Sequence, residues 1–384
     1  MKFSHLAAWT NLQRSVWLIL FLTVALLASP AKAAPAAGDE AFVRAAGEAV
    51  DRIAREDGFS GVILIARGDQ VLLRRAAGLA DRERNIPNTP ETKFSVQSVT
   101  KQFTAAAIML LVQDGKLSLD DPVAKYYAAA PPSWNAVTIR HLLTHTAGIG
   151  VPFTTEDELR FRTYRDAIEI AAQRAPSFEA GARFQYSNAG YMLLTAVIES
   201  IAGQPYGDFL REHVFAPLGM RNTGYGAIPG GTMRGYRRHG VEGTWELLDP
   251  VNLDVLGGAG GIYSTLDDML IWSRALDGDV ILSSDSKTAM FTDYGYNYGF
   301  GWRFATKYGR RLVWHTGSYY VAGYASIFDR FPEEGLAVIV MTNNSGLTDS
   351  TATLTIEGQP VTFPANAARK LVEQVEKLYF GRDP

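Results

Sequence analysis

The stretch FSVQSVTKQFTAAAIMLLV, residues 94–112, decides how this chain is interpreted, because it carries a lysine into an almost wholly apolar run. A lysine is almost never fully buried unless it is paired, so Lys101 needs a partner or must extend its stem to water. Ser98 lies three residues before Lys101, which places the two side chains on one face of a helix, whereas Ser95 has no base at that offset. The spacing therefore favours Ser98 as a serine whose proton a neighbouring amine takes.

A second Ser-x-x-Lys pattern, at Ser284–Lys287, shows that the pattern alone is weak. This second copy lies in a polar stretch and predicts a solvated turn. Lys101 differs because FTAAAIMLLV follows at once and indicates that its amine lies near the interior. A stem that reaches water remains the alternative at that position.

The chain begins with the features of an export signal. Lys2 and Arg14 flank a polar start, residues 16–28 are mostly apolar, and residues 31–33 (Ala-Lys-Ala) suit cleavage. We therefore predict a signal peptide over residues 1–33 and a secreted or periplasmic protein. The apolar run of 13 residues (28 − 16 + 1) is short of the ~20 that span a bilayer, so a retained membrane anchor is the weaker alternative. No later segment predicts a membrane span.

Composition narrows the classes of partner for the remaining 351 residues (384 − 33). The formal charge is −3, and it becomes −6 (−3 − 3) once residues 1–33, with three basic and no acidic residues, are removed. Mild acidity without a basic stripe argues against nucleic acid. Because the chain has no cysteine, disulfides and thiolate metal sites are excluded. We expect a small-molecule or peptide substrate, no metal and no cofactor, and the sequence does not indicate an oligomeric state.

Strand-like segments lie towards both ends of the chain, and helix-like segments lie between them. FSGVILIARGDQVLLRRAAG, residues 59–78, predicts a β-hairpin that turns at residues 67–70. Later strands are predicted over residues 298–305, 310–318, 323–331 and 335–343, and helices over residues 39–57 and 365–380.

This distribution predicts an α+β fold in which both chain ends build a central antiparallel sheet flanked by helices. Residues 34–384 are expected to form one domain. Its α/β part would cover about 39–103 and 295–384, and a mainly helical region over about 104–294 would be inserted between them.

Two further motifs follow in the chain. FQYSNAGYMLLTAVIE supplies Tyr-x-Asn at residues 186–188 before an apolar helix, and LVWHTGSYY supplies His-Thr-Gly at residues 315–317. With Ser98-x-x-Lys101, in this order, they resemble the serine β-lactamase and penicillin-binding-protein superfamily. The likeness is greatest to its class C branch, which includes DD-peptidases, D-aminopeptidases and esterases. Supporting stretches are HLLTHTAGI (141–149), GGAGGIYSTLDDM (257–269) and YGFGW (298–302), and the resemblance covers roughly residues 40–345.

The resemblance implies that Ser98 is the nucleophile and that Lys101 and Tyr186 form its base system. Ionising a free tyrosine at neutral pH costs ~4 kcal/mol, and neutralising a free lysine costs slightly more. Two such groups that share one proton in a dry pocket leave a competent base beside Ser98, and they titrate as a unit. Without the other motifs, Tyr186 would be taken as an ordinary core tyrosine.

The resemblance also implies the substrate contacts. Asn188 would donate to the amide on the acyl side of the substrate, and the strand with His315, Thr316 and Gly317 would align the substrate like an added strand. The backbone N–H groups of Ser98 and Ser318 would form the oxyanion hole, where losing one donor typically costs ~10²–10³ in rate.

Position 315 departs from many β-lactamases, which carry a lysine there. A histidine of ordinary pKa is charged only about a quarter of the time at pH 7, so capture of a substrate carboxylate must weaken or move elsewhere. The resemblance suggests Arg303 as the replacement, with a plain surface arginine as the alternative. This departure favours a peptidase or esterase over an enzyme dedicated to penicillin hydrolysis.

We interpret the chain as an exported serine hydrolase that forms an acyl-enzyme on Ser98 with an amide or ester substrate, such as a D-amino-acid peptide, an ester or a β-lactam. The alternative is a non-hydrolysing penicillin-binding or peptidoglycan-sensing protein. His141 and His145 are four residues apart, a spacing that can ligate a metal, but no nearby glutamate completes a zinc-hydrolase motif. Gly58-Phe59-Ser60-Gly61 lacks the final glycine of a nucleophile elbow.

Overall fold

The computed structural model describes residues 37–149, 161–230, 234–239, 243–250, 252–319, 322–344, 351–356, 359–364 and 366–381. Contacts divide the chain into a unit of residues 1–34 and a unit of residues 35–384. The predicted signal peptide over residues 1–33 lies outside the described residues. Among the described helices, none combines the length and the apolar character needed to cross a bilayer.

The strands of the described part are short in the middle of the chain and longer towards its ends. In chain order they are β1 Gly61–Arg67, β2 Gln70–Ala77, β3 Leu79–Asp81, β4 Ile86–Pro87, β5 Phe94–Ser95, β6 Gly224–Tyr225, β7 Tyr236–His239, β8 Thr244–Leu247, β9 Ile262–Ser264, β10 Arg303–Lys307, β11 Arg310–Tyr319, β12 Tyr324–Phe331, β13 Leu336–Thr342, β14 Thr351–Ile356 and β15 Gln359–Pro364.

The central sheet has the strand order β10-β11-β12-β13-β1-β2, and each neighbouring pair is antiparallel. Strand β13 therefore joins the two ends of the chain, since Gly61 of β1 pairs with Thr342 and Arg67 pairs with Leu336. The α+β prediction of one antiparallel sheet built from both ends is confirmed. The predicted hairpin is also present, because β1 ends at Arg67 and β2 begins at Gln70.

The α-helices of the described residues, numbered in chain order, surround this sheet. They are α1 Ala37–Glu56, α2 Thr100–Gln113, α3 Ile139–Leu143, α4 Tyr164–Ala172, α5 Asn188–Ala202, α6 Tyr206–Leu210, α7 Ala216–Leu218, α8 Leu266–Ala275, α9 Ser284–Met290 and α10 Ala367–Phe380. Single 3₁₀ turns include Gln97–Val99 and the longer Leu253–Ala259, and a π-helical turn covers Arg211–Phe215.

The sheet separates two apolar cores. On one face, α1 and α10 pack together over residues such as Val50, Ile63 and Val372, all fully buried. On the other face, alternate sheet residues such as Val62 and Leu64 join the larger core, which also contains α2, α5 and α8. Strand β1 is buried on both faces because alternate side chains point to opposite cores, which explains its continuous apolar sequence.

Two predicted elements differ from the structure near Lys101. Ser98 lies in the 3₁₀ turn Gln97–Val99 just before α2, not in the α-helix itself. The stretch 298–305 is strand only from Arg303 onward. Residues 298–302 instead form a buried loop, in which Gly301 adopts a φ of +77° and packs against the backbone of α2.

Candidate active site

Lys101 is fully buried in the first turn of α2, so its stem does not reach water. Its Nζ lies 2.9 Å from Oδ1 of Asn188, 2.8 Å from the carbonyl oxygen of Ala259 and 3.3 Å from Oγ of Ser98. Three segments distant in sequence therefore meet at one amine. A buried amine is costly without hydrogen-bond partners, and the oxygens of Asn188 and Ala259 supply them.

The two serines of the opening stretch have different surroundings. Ser98 is partly exposed and close to Lys101, whereas Ser95 is buried and its Oγ accepts a hydrogen bond from Nε2 of Gln97 at 2.7 Å. Gln97 has a φ of +49°, a left-handed conformation that non-glycine residues rarely adopt. The chain thus turns sharply just before Ser98 and presents this hydroxyl at the start of α2.

Tyr186 and Asn188 reach the site from the beginning of α5. Ser187 is the N-cap of that helix, and its Oγ accepts from the N–H of Gly190 at 3.1 Å. The Tyr186 ring centre lies 4.8 Å from Nζ of Lys101, and the Tyr186 hydroxyl is close enough to Ser98 for the serine to lower the Tyr186 pKa. The structure therefore brings Ser98, Lys101, Tyr186 and Asn188 together.

The glycines of GGAGG allow backbone to pass close to α2. A Cβ on Gly258 would lie 2.7 Å from Oγ1 of Thr104 and 2.8 Å from Oγ1 of Thr195, closer than packing permits. The Gly258 carbonyl accepts from the Thr104 hydroxyl at 2.7 Å. This close approach carries the next carbonyl, that of Ala259, to the amine of Lys101.

Strand β11 carries the third motif beside the Ser98 turn. A Cβ on Gly317 would lie 2.3 Å from the carbonyl oxygen of Val96 and 2.6 Å from Cβ of Gln97, so only glycine lets the strand come this close. Thr316 is partly exposed and Ser318 is exposed at the site.

Among the described residues, one edge of β11 has no strand partner at residues 315–318. Strand β10 pairs with β11 only as far as Arg303 opposite Trp314, and residues 315–318 pair with β12 on the other edge.

The His315 side chain points away from solvent and is only 1 % exposed. Burial, together with the positive charges of Arg303 and Lys101, holds the pKa of His315 well below its usual range. Its imidazole is therefore neutral at physiological pH and offers no positive charge to a substrate. The structure places the backbone of residue 315 at the site and its ring beneath it.

Arg303, at the first position of β10, is a cation beside the site. Its Cζ lies 5.4 Å from the ring centre of Tyr186, 5.5 Å from that of Tyr298 and 5.6 Å from that of Trp314. Among the described residues no carboxylate pairs with it, and the residue is partly exposed. Aromatic faces thus hold a guanidinium whose hydrogen-bond donors are open to an anion.

Burial shifts both members of the base pair towards their neutral forms. Burial, and then the charge of Arg303, holds the pKa of Lys101 well below its usual range. Burial also raises the pKa of Tyr186 to about 12, against the opposing effects of the hydrogen bond with Ser98 and the charge of Arg303. Near neutral pH the site therefore favours an uncharged amine beside a protonated phenol.

Sequence reasoning did not assign roles to His145 and Tyr298, which lie directly behind the site. The Tyr298 hydroxyl lies 3.1 Å from Nε2 of His145 and 3.1 Å from Nε2 of His315. Both residues belong to stretches that supported the resemblance, HLLTHTAGI and YGFGW. That resemblance was the signal that could have drawn attention to them.

The other candidates of the sequence lie elsewhere. In the second Ser-x-x-Lys pattern, Ser284 is exposed and Nζ of Lys287 donates to Asp279 at 2.6 Å on the surface. The Ser60 hydroxyl is buried and donates to the Leu79 carbonyl at 3.2 Å.

The part of the chain that the structure describes holds no cluster of three or more His, Cys, Asp or Glu residues suited to a metal. A cavity of about 540 Å³ beside α5 and α6 is lined by tyrosines such as Tyr206 and by none of the predicted site residues.

Comparisons with known proteins agree with this arrangement. A family model described as beta-lactamase matches residues 44–358. A penicillin-binding protein of Bacillus subtilis (strain 168) is 28 % identical over 365 residues, which cover 84 % of this chain and 78 % of that protein. Esterase EstB of Burkholderia gladioli is 36 % identical over 194 residues, 46 % of this chain and about half (49 %) of the esterase. The crystal structure of a D-amino acid amidase from Ochrobactrum anthropi SV3 is 26 % identical with a TM-score of 0.72, and the match covers 89 % of this chain and 99 % of the amidase.

Proposed function

This chain belongs to the beta-lactamase family, and on that premise we propose that it is an exported serine hydrolase that acts through an acyl-enzyme on Ser98. The observation that carries the proposal is the set of contacts at the buried amine of Lys101, which lies 3.3 Å from Oγ of Ser98. Family membership supports hydrolase chemistry, since its relatives include an esterase and a D-amino acid amidase.

Burial lowers the pKa of Lys101 and so favours a neutral amine as the base. A neutral amine has two N–H donors and one lone pair, whereas an ammonium has three donors. Nζ has three partners, namely Oδ1 of Asn188, the carbonyl of Ala259 and Oγ of Ser98. In the neutral form two N–H groups donate to Asn188 and Ala259, and the lone pair faces Ser98 and is available to take the serine proton.

The proposed acylation step conserves every proton. The Oγ of Ser98 attacks the substrate carbonyl carbon while its proton moves to Nζ of Lys101. The phenol of Tyr186 gives its proton to the leaving amine or alcohol as the scissile bond breaks, and the proton on Lys101 then restores the phenol. The backbone N–H groups of Ser98 and Ser318 are proposed to stabilise the oxyanion.

The deacylation step repeats these transfers with water in place of the leaving group. The water occupies the position vacated by the leaving group, so the phenol of Tyr186 faces it. The phenol passes its proton to Nζ of Lys101 as it takes a proton from water, and the water oxygen attacks the acyl carbon. The bond from the acyl carbon to Oγ of Ser98 then breaks, and Oγ takes the proton held on Lys101. Lys101 remains neutral at the start and at the end of the cycle.

Substrate alignment is proposed to use the edge of β11 at residues 315–318. An extended amide can pair with these residues as an added strand, with Thr316 and Gly317 at its centre. Because Oδ1 of Asn188 accepts from Lys101, its Nδ2 remains to donate to a substrate carbonyl. Arg303 is proposed to bind a substrate carboxylate in place of a lysine at position 315. These contacts suit a D-amino-acid peptide or amide, and an ester or β-lactam engages a subset of them.

Export is proposed from the sequence of residues 1–33, whose charged start, apolar run and small residues suit a signal peptide. Expression of the full chain in a bacterial host, followed by intact-mass measurement of the periplasmic fraction, tests this part separately. A mature protein that begins after residue 33 supports export, and a full-length protein confined to the cytoplasm contradicts it.

The hydrolase itself is tested with the Ser98→Ala variant. We expect loss of p-nitrophenyl acetate hydrolysis and of labelling by a fluorophosphonate probe, with an unchanged melting temperature. Ser284→Ala is the matched control, because that serine belongs to the second Ser-x-x-Lys pattern but lies exposed on α9. Retained turnover in Ser98→Ala, or a probe adduct on a peptide that lacks Ser98, overturns the mechanism.

The same experiment separates the alternative function. A non-hydrolysing sensor would acylate and accumulate the adduct without turnover, or would remain unlabelled. Rapid loss of the acyl group from Ser98, measured by mass spectrometry over time, supports the hydrolase. A screen with nitrocefin, a D-Ala-D-Ala peptide, a D-amino-acid anilide and short-chain esters then identifies the acyl group.

A further inference from the structure

A buried tyrosine lies between two buried histidines behind the active site. His145, Tyr298 and His315 are each 1 % exposed, and the Tyr298 hydroxyl lies 3.1 Å from the Nε2 atom of each imidazole. The proposed reaction uses none of these three side chains. Their hydrogen bonds therefore need a separate explanation.

His145, Tyr298 and His315 form a row of hydrogen-bonded side chains. The backbone groups bonded to its two ends determine which imidazole nitrogens carry protons. The backbone N–H of Ser187 donates to Nδ1 of His145 at 3.1 Å, so this nitrogen carries no proton and the proton lies on Nε2. At the other end, Nδ1 of His315 lies 2.7 Å from the carbonyl oxygen of Thr316. A carbonyl only accepts, so the His315 proton lies on Nδ1 and its Nε2 is an acceptor.

These assignments give every hydrogen bond in the row one direction. Nε2–H of His145 donates to the Tyr298 oxygen, and the Tyr298 O–H donates to Nε2 of His315. Tyr191 also contacts the Tyr298 hydroxyl, but its own proton goes to the Leu143 carbonyl at 2.8 Å. An imidazole nitrogen is a stronger acceptor than a phenol oxygen, so the Tyr298 proton belongs to His315.

The row joins two segments that the proposed reaction needs in a fixed relationship. It starts at Ser187, next to Tyr186, and it ends at Thr316 in the strand that would bind substrate. The His145 ring lies against the Tyr186 ring with their centres 4.4 Å apart, and the His315 ring centre is 6.2 Å from that of Tyr186. A displacement of either imidazole would therefore move the proposed proton donor relative to the strand.

We propose that His145, Tyr298 and His315 form one hydrogen-bonded positioning unit that locks the Tyr186 ring to the Thr316 segment of β11, with both imidazoles neutral. The proposal rests on the proposed function for the roles of Tyr186 and Thr316, but its hydrogen bonds stand independently of it. These are positioning residues, since they act through Tyr186 and the strand and do not touch the reacting atoms.

The charged and titratable neighbours of the unit keep it neutral. Burial, then the charges of Lys101 and Arg303, lowers the pKa of His145, and burial with the same two charges lowers that of His315. Within the described part of the chain, the other titratable groups in contact with the unit are the phenols of Tyr186 and Tyr191. A second proton on His145 would face the N–H of Ser187, which is itself a donor, so protonation would break the row.

Imidazole NMR tests the hydrogen bonds directly, without reference to activity. The chain has only six histidines, and ¹⁵N-labelled imidazoles report which ring nitrogen carries the proton. We expect His145 as the Nε2–H tautomer and His315 as the Nδ1–H tautomer, both unchanged from pH 8 to pH 5. Tyr298→Phe should allow at least one of them to change tautomer or titrate. The opposite tautomers, or titration of both rings near pH 6.5 in the unaltered protein, overturn the unit.

Kinetics test its positioning role. Tyr298→Phe removes one hydroxyl and keeps the ring. Tyr236→Phe is the matched control, because Tyr236 is equally buried (1 %) and its hydroxyl donates to Glu83, not to His145 or His315. We expect kcat for p-nitrophenyl acetate to fall roughly tenfold in Tyr298→Phe, about the free energy of one hydrogen bond, with the acid limb of kcat/KM displaced to higher pH. We expect Tyr236→Phe and Tyr298→Phe to lose similar amounts of free energy of unfolding. The pH profile of kcat/KM in Tyr236→Phe should remain that of the unaltered protein.

A double-mutant cycle decides whether Tyr298 and His315 act together. Tyr298→Phe and His315→Asn both remove the Tyr298–His315 bond, because asparagine can replace Nδ1 but not Nε2 of the imidazole. We expect the His315→Asn change to have little further effect on kcat in the Tyr298→Phe background. Full additivity, or equal pH profiles in Tyr298→Phe and Tyr236→Phe, contradicts the positioning unit. Absence of any esterase activity in the unaltered protein would instead contradict the proposed function, and the NMR result would still decide the unit.

Discussion

The Nζ of Lys101 lies 2.8 Å from the carbonyl oxygen of Ala259, a residue 158 positions later in the chain. A backbone carbonyl accepts hydrogen bonds and cannot take a proton at neutral pH, so this contact directs one N–H of the amine away from Ser98. Asn188 directs the second. The reactivity of Ser98 in the proposed mechanism therefore depends on backbone geometry in a distant glycine-rich turn.

Lys101→Arg should abolish ester hydrolysis although it preserves a basic side chain. A guanidinium stays protonated in proteins, so it has no lone pair for the Ser98 proton. We expect kcat/KM for p-nitrophenyl acetate to fall by about 10³ or more, the scale of a lost general base. Lys287→Arg, in the second Ser-x-x-Lys pattern, should leave the rate unchanged. Activity in Lys101→Arg within about tenfold of the unaltered protein would show that the amine acts only as a cation.

The pH dependence of kcat/KM should have an acid limb and no alkaline limb below about pH 10. Lys101 must be neutral to act, and its pKa is lowered by burial, so activity is lost as the pH falls through that lowered value. Tyr186 must keep its proton, and its pKa is raised to about 12, so the alkaline side stays flat over the usable range. Stopped-flow or steady-state rates from pH 5 to pH 10 provide the measurement. A decline in rate between pH 8 and pH 10 would contradict the protonated phenol.

Gly317→Ala should separate β11 from the Ser98 turn. The added Cβ would lie 2.3 Å from the Val96 carbonyl oxygen, a backbone atom that cannot rotate away. We expect a loss of ~1–3 kcal/mol in the free energy of unfolding, as for overpacking, and at least a hundredfold loss of kcat/KM, since the oxyanion donors would separate. Gly278→Ala is the control, because nothing lies within 4 Å of that Cβ. A Gly317→Ala protein with ordinary kinetics would show that the close approach is not needed for catalysis.

Arg303→Gln should discriminate between substrates with and without a carboxylate. We expect kcat/KM for a D-Ala-D-Ala peptide to fall about 10–100-fold more than that for the same peptide as its carboxyl amide, which corresponds to the loss of a charged hydrogen bond. The ratio of the two substrates is the useful quantity, since Arg303 also lowers the pKa of Lys101. Equal losses of kcat/KM for the two peptides would show that Arg303 packs against its aromatic neighbours and does not bind the substrate carboxylate.

Glu376→Gln should change stability without changing activity. Glu376 is fully buried on α10, and burial raises its pKa to about 8 against the lowering effect of the Lys307 charge. The folded protein therefore holds this proton between pH 4.5, the usual value, and pH 8, while the unfolded chain has lost it. Stability is lost as the pH rises through this window.

Glu376→Gln has no carboxyl to titrate, so it does not lose this stability. The free energy of unfolding of the variant minus that of the unaltered protein should therefore rise by about 1 kcal/mol or more from pH 5 to pH 9. Denaturant unfolding of Glu376→Gln and of the exposed control Glu48→Gln measures it. An advantage independent of pH would show that the carboxyl keeps its usual pKa, and a change in kcat would show that the two faces of the sheet are not independent.

Local patterns in the sequence predict much of the fold. The hairpin at residues 67–70, the apolar run after Lys101 and the strands near residue 330 follow from apolar periodicity and turn residues, which act over a few positions. The left-handed φ of Gln97 does not follow, since Gln97 is not a glycine and its turn packs against Gly317 from a strand more than 200 residues away. The 3₁₀ turn that holds Ser98 was likewise not predicted from local helix propensity.

The site shows a similar division. Motif spacing placed Ser98, Lys101 and Tyr186 as candidates, and the structure brings their side chains together. The neutral state of His315 could not be predicted from the sequence, because it depends on burial and on the charges of Arg303 and Lys101. A histidine beside a strand end would be expected in solvent, and only the tertiary arrangement places this ring in the interior.

The edge of β11 at residues 315–318 limits the length of an added strand that can pair with it. Residues 315–318 extend over about 13 Å at ~3.3 Å per residue, and the flanking residues up to Trp314 are already paired with β10. Under the proposed function, a substrate would therefore pair with these residues over only a few peptide units. We expect such an edge to favour compact acyl donors or the free ends of polymers over the interior of a long chain.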